Sequence, residues 1–207
     1  MAEVTSGFRK ILSFSFFYDY FQNFLGANKF REYIVKYYIK PNEKIRILDL
    51  GCGTAKILNY LPTSTKYVGF DINKNYIDSA KNCFKNNAIF YYGKEINDLD
   101  NKNLKPFDII LAIGLLHHLN DTELKNLFKF SSKHLKSKGR LISVDACFTK
   151  NQSFFSRFIT SLDRGQNIRF PNGYKNLAEK FFFKIKGDIL HKTLLPYTHW
   201  IMQCEKK

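Results

Sequence analysis

The middle of the chain alternates short apolar runs with longer segments in which apolar residues recur every three or four positions. Five of the runs are rich in Ile, Leu, Phe and Val, as is typical of strands that are buried on both faces of a sheet. They cover residues 45–50, 67–70, 88–92, 107–113 and 140–144. Helices are predicted between them at residues 56–61, 74–85 and 121–135, and each would cover one face of the sheet.

This alternation predicts an α/β fold built on a doubly wound, Rossmann-like sheet. A strand, a helix and a second strand at this spacing form a right-handed crossover between parallel strands. Two further apolar runs, at residues 181–190 and 197–205, complete an expected seven-stranded sheet that is mostly parallel, with the last strand antiparallel. In such a sheet, ligands bind beyond the carboxyl ends of the strands.

The segments outside this alternation are expected to cover the sheet and its ligand site. Residues 1–40 form an aromatic-rich lead, predicted as two helices that act as a lid, and residues 147–180 form a lid insertion after the fifth strand. If the last two strands form a hairpin, its turn at residues 191–196 would lie at the rim of the ligand site. At 207 residues, the chain is expected to be a single domain that spans residues 1–207.

The composition predicts a globular protein and favours an anionic partner only weakly. A hydrophobic content of 44% excludes a disordered chain. The net charge of +15 is in the range of nucleic-acid-binding proteins, but the 26 lysines and 7 arginines are scattered, as on a solvated surface. The chain has no apolar run of about eighteen residues and its four cysteines form no C-x-x-C pair. We therefore expect a cytoplasmic protein with reduced thiols and no membrane span.

The strongest chemical signal is the turn Asp49-Leu-Gly-Cys-Gly-Thr-Ala55, directly after the first predicted strand. Gly51 and Gly53 permit positive φ and a close approach of the backbone to a ligand. Asp71, at the end of the next strand, is placed to accept hydrogen bonds from both hydroxyls of a ribose. A dinucleotide fingerprint would require a third glycine at position 56, where the chain has Lys56. The turn therefore disfavours NAD.

The pattern Asp-x-Gly-x-Gly-x-Ala followed by Asp71 resembles the first motif of class I S-adenosylmethionine-dependent methyltransferases of the small-molecule branch. The resemblance covers residues 16–206 and implies S-adenosylmethionine as cofactor, with S-adenosylhomocysteine as product. In that family, the residue that corresponds to Asp49 orders the glycine turn around the methionine end of the cofactor. The residues that the resemblance assigns to the cofactor are Asp49, Gly51, Cys52, Gly53, Asp71, Ile72, Glu95, Ile96, Ala112, Ile113, Gly114 and Tyr20.

Two of these assignments have alternatives. The family commonly contacts adenine through a Gly-Asp pair after the third strand, but here Lys94 stands where the acid is expected. The adenine contact is therefore open between Glu95, Ile96 and the backbone. Tyr20 could cover the sulfonium through a cation–π contact, or it could belong to the core.

Two adjacent histidines, His117 and His118, follow the fourth strand at the mouth of the expected site. Either could act as a general base on a hydroxyl or amine of the substrate. The alternative is that one of them caps or packs against the helix that begins near Asp121. Tyr197 and His199 follow the expected rim turn, and one of them could face the substrate, with core packing as the alternative.

The lid insertion contains two arginines that suit an anionic substrate group, Arg164 and Arg169. Arginine can grip a carboxylate or phosphate with two parallel hydrogen bonds, so we hypothesise that both arginines hold such a group. The alternative is that they pair with Asp163, Glu179 or the backbone and shape the lid.

The resemblance implies transfer of a methyl group to oxygen, nitrogen or carbon of a small metabolite. Methylation of RNA is one alternative, although the segment Ile-Gly-Leu-Leu-His-His lacks the Asn/Asp-Pro-Pro-aromatic pattern that grips a base amine, and the chain has no Pro-Cys nucleophile. The second alternative is a regulatory protein that binds S-adenosylmethionine without transferring its methyl group. No acid-acid-Asn set like that of catechol-type methyltransferases is present, so no metal is predicted.

Overall fold

A computed structural model describes residues 27–85, 88–161, 163, 165–191 and 197–207 of the chain. Seven strands in these ranges form one sheet in the order β3-β2-β1-β4-β5-β7-β6. The strands are β1 (Arg46–Leu50), β2 (Lys66–Asp71), β3 (Ala88–Tyr92), β4 (Phe107–Ile113), β5 (Leu135–Ala146), β6 (Lys184–His191) and β7 (Thr198–Glu205). Strand β7 is antiparallel to both of its neighbours, and β1 to β5 are parallel. The predicted Rossmann-like sheet with an antiparallel last strand is confirmed.

Helices cover both faces of this sheet. They are α1 (Ala27–Ile34), which continues into a π-helical turn (Val35–Ile39), α2 (Lys74–Phe84), α3 (Asp121–His134), α4 (Phe154–Ser161) and α5 (Pro171–Ala178). Side chains alternate between the faces of a strand, so Leu48 and Leu50 of β1 pack with residues of α3 and α5. Ile47 packs on the other face with residues of α1 and α2. Among the described helices, none is long and apolar enough to cross a membrane.

The first crossover is shorter than predicted. Residues 56–61 were expected to form an α-helix, but Lys56–Tyr60 is a 3₁₀ helix. It begins after Ala55, which has a left-handed backbone, and it ends at Leu61, which is extended because it precedes Pro62. Ile96–Lys102 and Leu116–His118 are further 3₁₀ helices.

Two strands also differ from prediction. Strand β5 begins at Leu135 rather than at residue 140, because Leu135 already pairs with Phe107 of β4 ahead of a register shift. Strand β3 was expected to be buried on both faces, but it is an edge strand, and Ile89 and Tyr92 are about half exposed. The prediction for β3 failed because a short apolar run has the same composition at a sheet edge as at its centre.

The covering segments are only partly described. The insertion after β5, which showed no clear period, contains α4 and α5, each eight residues long. The lead contributes α1 and the π-helical turn, while Tyr20 lies outside the described residues. Residues 192–196 of the predicted hairpin turn also lie outside them, so its expected position at the rim stays a prediction.

Candidate functional site

The glycine turn after β1 is held against the end of β2. The backbone N–H groups of Gly51 and Cys52 both donate to Phe70 O, at 2.8 and 3.1 Å. Gly51 and Gly53 have φ of 72° and 54°, which favour glycine. A Cβ on Gly51 would lie 3.3 Å from Leu115 Cδ1, whereas a Cβ on Gly53 would meet no atom of the described residues within 4 Å. The backbone at Gly53 therefore borders open space that a ligand can enter.

Asp71 links this turn to the turn after β2. Its Oδ2 accepts a hydrogen bond from Gly53 N at 2.8 Å, and its Oδ1 accepts one from Asn73 N at 2.8 Å. Burial raises the pKa of Asp71, and these backbone donors oppose that effect. Each carboxylate oxygen has two lone pairs, so both can still accept a hydroxyl donor. Ile72 follows with 43% of its surface exposed.

Asp49 lies beneath the turn, where it accepts a hydrogen bond from Tyr67 Oη at 2.6 Å. Only 4% of its surface is exposed. Burial raises the pKa of Asp49 to about 7, against the opposing hydrogen bond from Tyr67 and with a smaller contribution from the charge of Asp71. Asp49 is thus a carboxyl that the free protein holds protonated over much of the acidic range.

We expect Asp49→Asn to remove a pH-dependent loss of stability. Between pH 4 and 7 the unfolded chain ionises at Asp49 while the folded protein keeps the proton, so the free energy of unfolding falls as the pH rises. The folded and unfolded pKa values differ by about three units, which sets an upper bound of about 4 kcal/mol. Urea unfolding at pH 4.5 and pH 8 measures the effect. An equal stability difference between variant and wild type at both pH values would contradict it.

The segment after β3 shows how Glu95 is engaged. Glu95 is the N-cap of the 3₁₀ helix Ile96–Lys102 and forms a capping box with Asp98. Asp98 Oδ2 accepts hydrogen bonds from Lys94 N and Glu95 N, at 2.7 and 3.2 Å. Glu95 is exposed and Ile96 is half-buried. The choice between them as adenine contact stays a prediction.

Strand β4 ends at a third glycine with positive φ. Ala112 is buried, Ile113 is half-buried, and Gly114 has φ of 69°. Gly114 N donates to Val144 O of β5 at 2.7 Å, and no atom in the described part of the chain lies within 4 Å of a Cβ built on Gly114. The ends of the neighbouring strands β1 and β4 therefore each carry a glycine that borders open space.

His117, one of the two predicted bases, has both ring nitrogens engaged. Nδ1 lies 3.0 Å from Asp145 Oδ1, and Nε2 lies 3.2 Å from Asp163 Oδ1. Burial lowers the pKa of His117, but hydrogen bonds to Asp145 and Asp163 outweigh it and raise the pKa to about 9. Both ring nitrogens therefore face acids of the protein, and His117 as a general base stays a prediction.

The lid insertion packs directly onto the two histidines. Asn167 N donates to His117 O at 2.9 Å, and Asn167 Nδ2 donates to His118 O at 3.4 Å. A Cβ on Gly165 would lie 2.1 Å from His117 Cδ2, so only glycine permits this approach. His118 is half-buried, and its ring centroid lies 4.3 Å from that of His117. His118 as a general base stays a prediction.

Arg169 donates hydrogen bonds from all three of its guanidinium nitrogens to acceptors of the protein. Its Nε and Nη2 donate to Asp121 Oδ1 at 3.2 and 2.6 Å. Its Nη1 donates to Asn167 O at 2.8 Å, and Nη2 also donates to Leu119 O at 3.0 Å. The guanidinium thus ties the insertion to the start of α3, as in the alternative reading, and a contact of Arg169 with substrate stays a prediction. Arg164 lies outside the described residues.

Tyr197 and His199 lie beside the same network. Tyr197 Oη donates a hydrogen bond to Asp163 Oδ2. The ring of His199 lies 4.7 Å from the ring of Tyr197 and 5.4 Å from that of Phe30 in α1, measured between centroids. Both side chains are half-buried. Tyr197 therefore contacts Asp163 of the insertion, and a contact of Tyr197 or His199 with the substrate stays a prediction.

Two acids of this network were not identified as site residues from the sequence. Asp145 lies at the end of β5, is 1% exposed, and accepts hydrogen bonds from Leu116 N at 2.7 Å and His117 N at 3.4 Å. Asp163 was considered only as an ion-pair partner of the arginines. Asp145 could have been identified from the sequence, because it is an acid at the carboxyl end of the fifth predicted strand, the edge at which ligands bind.

Residues 47–139 match a family model described as a methyltransferase domain. The chain is 30% identical over 117 residues to the ubiquinone biosynthesis O-methyltransferase of Pelagibacter ubique, covering 56% of this chain and 48% of that protein. It is 26% identical over 148 residues to the malonyl-[acyl-carrier protein] O-methyltransferase of Bacillus anthracis, and the match covers 69% of this chain and 51% of that protein. The chain thus spans about half the length of these relatives.

Among solved structures, the fold is similar to that of an S-adenosylmethionine-dependent methyltransferase from Archaeoglobus fulgidus. The TM-score is 0.74 at 16% identity, and the match covers 92% of this chain and 100% of that one. Residues 47–139 are thus identified as a methyltransferase domain, and the chain has the fold of S-adenosylmethionine-dependent methyltransferases.

Proposed function

We propose that this chain transfers a methyl group from S-adenosylmethionine to an oxygen atom of a small metabolite. The observation that carries the proposal is the space that the described residues leave open beside Gly53 and Gly114, with the Asp71 carboxylate at the end of the neighbouring strand β2. Open space supports close contact between backbone and cofactor, and the carboxylate can accept both ribose hydroxyls. The exposed Ile72 and half-buried Ile96 supply apolar surface for the adenine.

Oxygen is favoured over nitrogen or carbon because both relatives described above are named O-methyltransferases. The arginines of the insertion suggested an anionic group on the acceptor. Arg169 gives little reason to expect one, because its guanidinium already donates to Asp121 and to two backbone carbonyls. The anionic group would depend on Arg164 instead.

In this reaction the protein aligns the two reactants and provides a route for the hydroxyl proton of the acceptor to leave. Bound S-adenosylmethionine supplies an activated methyl group, which the acceptor oxygen attacks as the carbon–sulfur bond breaks, leaving S-adenosylhomocysteine. Alignment in a closed site contributes roughly 7–11 kcal/mol to lowering the barrier. The hydroxyl proton leaves to a base or to water. With His117 engaged by two acids, His118 is the candidate base in this region.

Calorimetry with S-adenosylhomocysteine tests the cofactor, and NAD serves as the control ligand. We expect S-adenosylhomocysteine to bind and NAD to be rejected, because Lys56 occupies the position of the third glycine of a dinucleotide site. Absence of S-adenosylhomocysteine binding at millimolar concentration would contradict the proposal.

Transfer of a labelled methyl group to hydroxyl-bearing metabolites tests the reaction. Turnover on RNA with a steep dependence on salt would instead support a nucleic-acid substrate. Cofactor binding without turnover on any acceptor would support a regulatory protein.

A further inference from the structure

Two histidines and an aspartate bring three potential metal ligands together at the end of β4. The nitrogen of His117, that of His118 and a carboxylate oxygen of Asp163 lie within 4.8 Å of one another. His117 Nε2 and Asp163 Oδ1 are 3.2 Å apart. Two ligands of one tetrahedral ion, each about 2.0–2.1 Å from it, are separated by about 3.3 Å. The closest pair therefore already has the spacing of two ligands on a shared ion.

We propose that His117, His118 and Asp163 bind a divalent first-row transition metal ion, represented by Zn²⁺. Imidazole ligands suit zinc, iron, nickel and copper, whereas magnesium and calcium prefer oxygen ligands throughout. Two imidazoles and one carboxylate form a set of three protein ligands. Such a set leaves a coordination position for water or substrate, as in catalytic zinc sites.

Asp145 supplies the outer partner that a histidine ligand of a metal ordinarily has. Its Oδ1 lies 3.0 Å from His117 Nδ1 and also accepts the backbone N–H of Leu116 at 2.7 Å, so the carboxylate is fixed. With the proton held on Nδ1, the lone pair of Nε2 is directed toward Asp163. A carboxylate that orients a ligating histidine in this way tunes metal affinity and fixes the tautomer.

The charges of the cluster also favour a divalent ion. The side chains of Asp145 and Asp163 are 1% and 18% exposed, and both contact the one imidazole of His117. When Nε2 of His117 carries a proton, the imidazolium supplies one positive charge against the two negative charges of these acids. A divalent ion bound to a neutral His117 supplies two positive charges, and the proton that it displaces leaves to solvent. Buried acids are costly unless they are paired or coordinate a metal, so the ion balances the cluster more completely than the proton does.

The ligands are held in place before an ion arrives. Asp163 Oδ1 accepts a hydrogen bond from Gly165 N at 2.7 Å, and its Oδ2 accepts one from Tyr197 Oη. The side-chain-free Gly165 lets the loop pack onto the ring of His117. A site whose ligands are already oriented binds its ion without first ordering them.

The role of the ion rests on the proposed function, although its binding does not. His117 lies three residues beyond Gly114, one of the glycines that border the proposed cofactor space. An acceptor hydroxyl in the open coordination position would lose its proton more readily, as metal-bound water does. In that arrangement His118 is a ligand rather than a base.

Titration of chelator-treated protein with Co²⁺ and Zn²⁺ tests the site. We expect one ion per chain, with a Co²⁺ absorption spectrum that has d–d bands and no thiolate charge-transfer band, which separates this site from the four cysteines. Asp145→Asn is expected to weaken binding by about 10–100-fold. His118→Ala and Asp163→Asn each remove a ligand and should weaken it further. His134→Ala is the control, because its ring lies beside Asp100, at 3.6 Å, away from the cluster.

Absence of binding, or equal affinity in the wild type and all variants, would overturn the metal site. His118 is half-buried, so His118→Ala carries the test even if Asp163→Asn fails to fold, as unfolding curves will show. Calorimetry with S-adenosylhomocysteine separates the two proposals. A protein that binds S-adenosylhomocysteine but no metal contradicts the metal site alone, whereas one that binds metal but no S-adenosylhomocysteine contradicts the proposed function.

Discussion

Replacing Asp71 with alanine is expected to weaken binding of S-adenosylhomocysteine by about 10²–10⁴-fold. The proposed cofactor offers two ribose hydroxyls to this carboxylate, and a hydrogen bond to a charged group contributes about 1.5–3 kcal/mol. Two such bonds correspond to about 3–6 kcal/mol, which gives the expected range in affinity. Calorimetric titration of variant and wild type measures the loss.

Asp78→Ala is the matched control for Asp71. Asp78 is an exposed acid of α2, with its carboxylate 2.8 Å from Lys74 Nζ, and its loss changes the net charge by the same amount. We expect it to leave affinity unchanged. Because Asp71 also accepts hydrogen bonds from Gly53 and Asn73, thermal unfolding must show that the variant folds. Wild-type affinity in a folded Asp71→Ala protein would remove the ribose assignment.

The cofactor side of the site could be predicted from sequence because its signals are local. Gly51 and Gly53 lie within three residues of the end of β1, and Asp71 is the last residue of β2. In a parallel sheet, the end of each strand alone determines which residues meet at the carboxyl edge. Boundaries were less predictable, since the start of β5 at Leu135 depends on its pairing with Phe107 of β4.

The substrate side could not be predicted in the same way because its contacts join residues far apart in the chain. Arg169 is 48 residues from Asp121, and no periodicity in the insertion indicates that pairing. The engagement of His117 likewise depends on Asp145 in β5 and Asp163 in the insertion. Composition identified arginines and histidines with suitable chemistry. Only tertiary packing determines which of their polar atoms are already bound by other protein groups.

The largest loss of stability is expected from Asp145→Ala. This buried carboxylate pairs with His117 and accepts the backbone N–H groups of Leu116 and His117. Removing one partner of a buried ion pair costs about 3–5 kcal/mol, because the remaining charge and donors are left desolvated. His117 keeps Asp163, so the backbone donors account for part of the loss. Urea unfolding of the metal-free protein measures the difference in free energy.

Ser143→Ala provides the control for this prediction within the same strand. Ser143 lies two residues before Asp145 in β5, so its side chain is on the same face of the sheet, and it is completely buried. Its hydroxyl has no hydrogen-bond partner among the described residues. Removing an unpaired buried hydroxyl relieves a desolvation cost, so Ser143→Ala should be neutral or stabilising. If both variants lose the same stability, then packing of β5 rather than the charge and acceptor of Asp145 stabilises this end of the sheet.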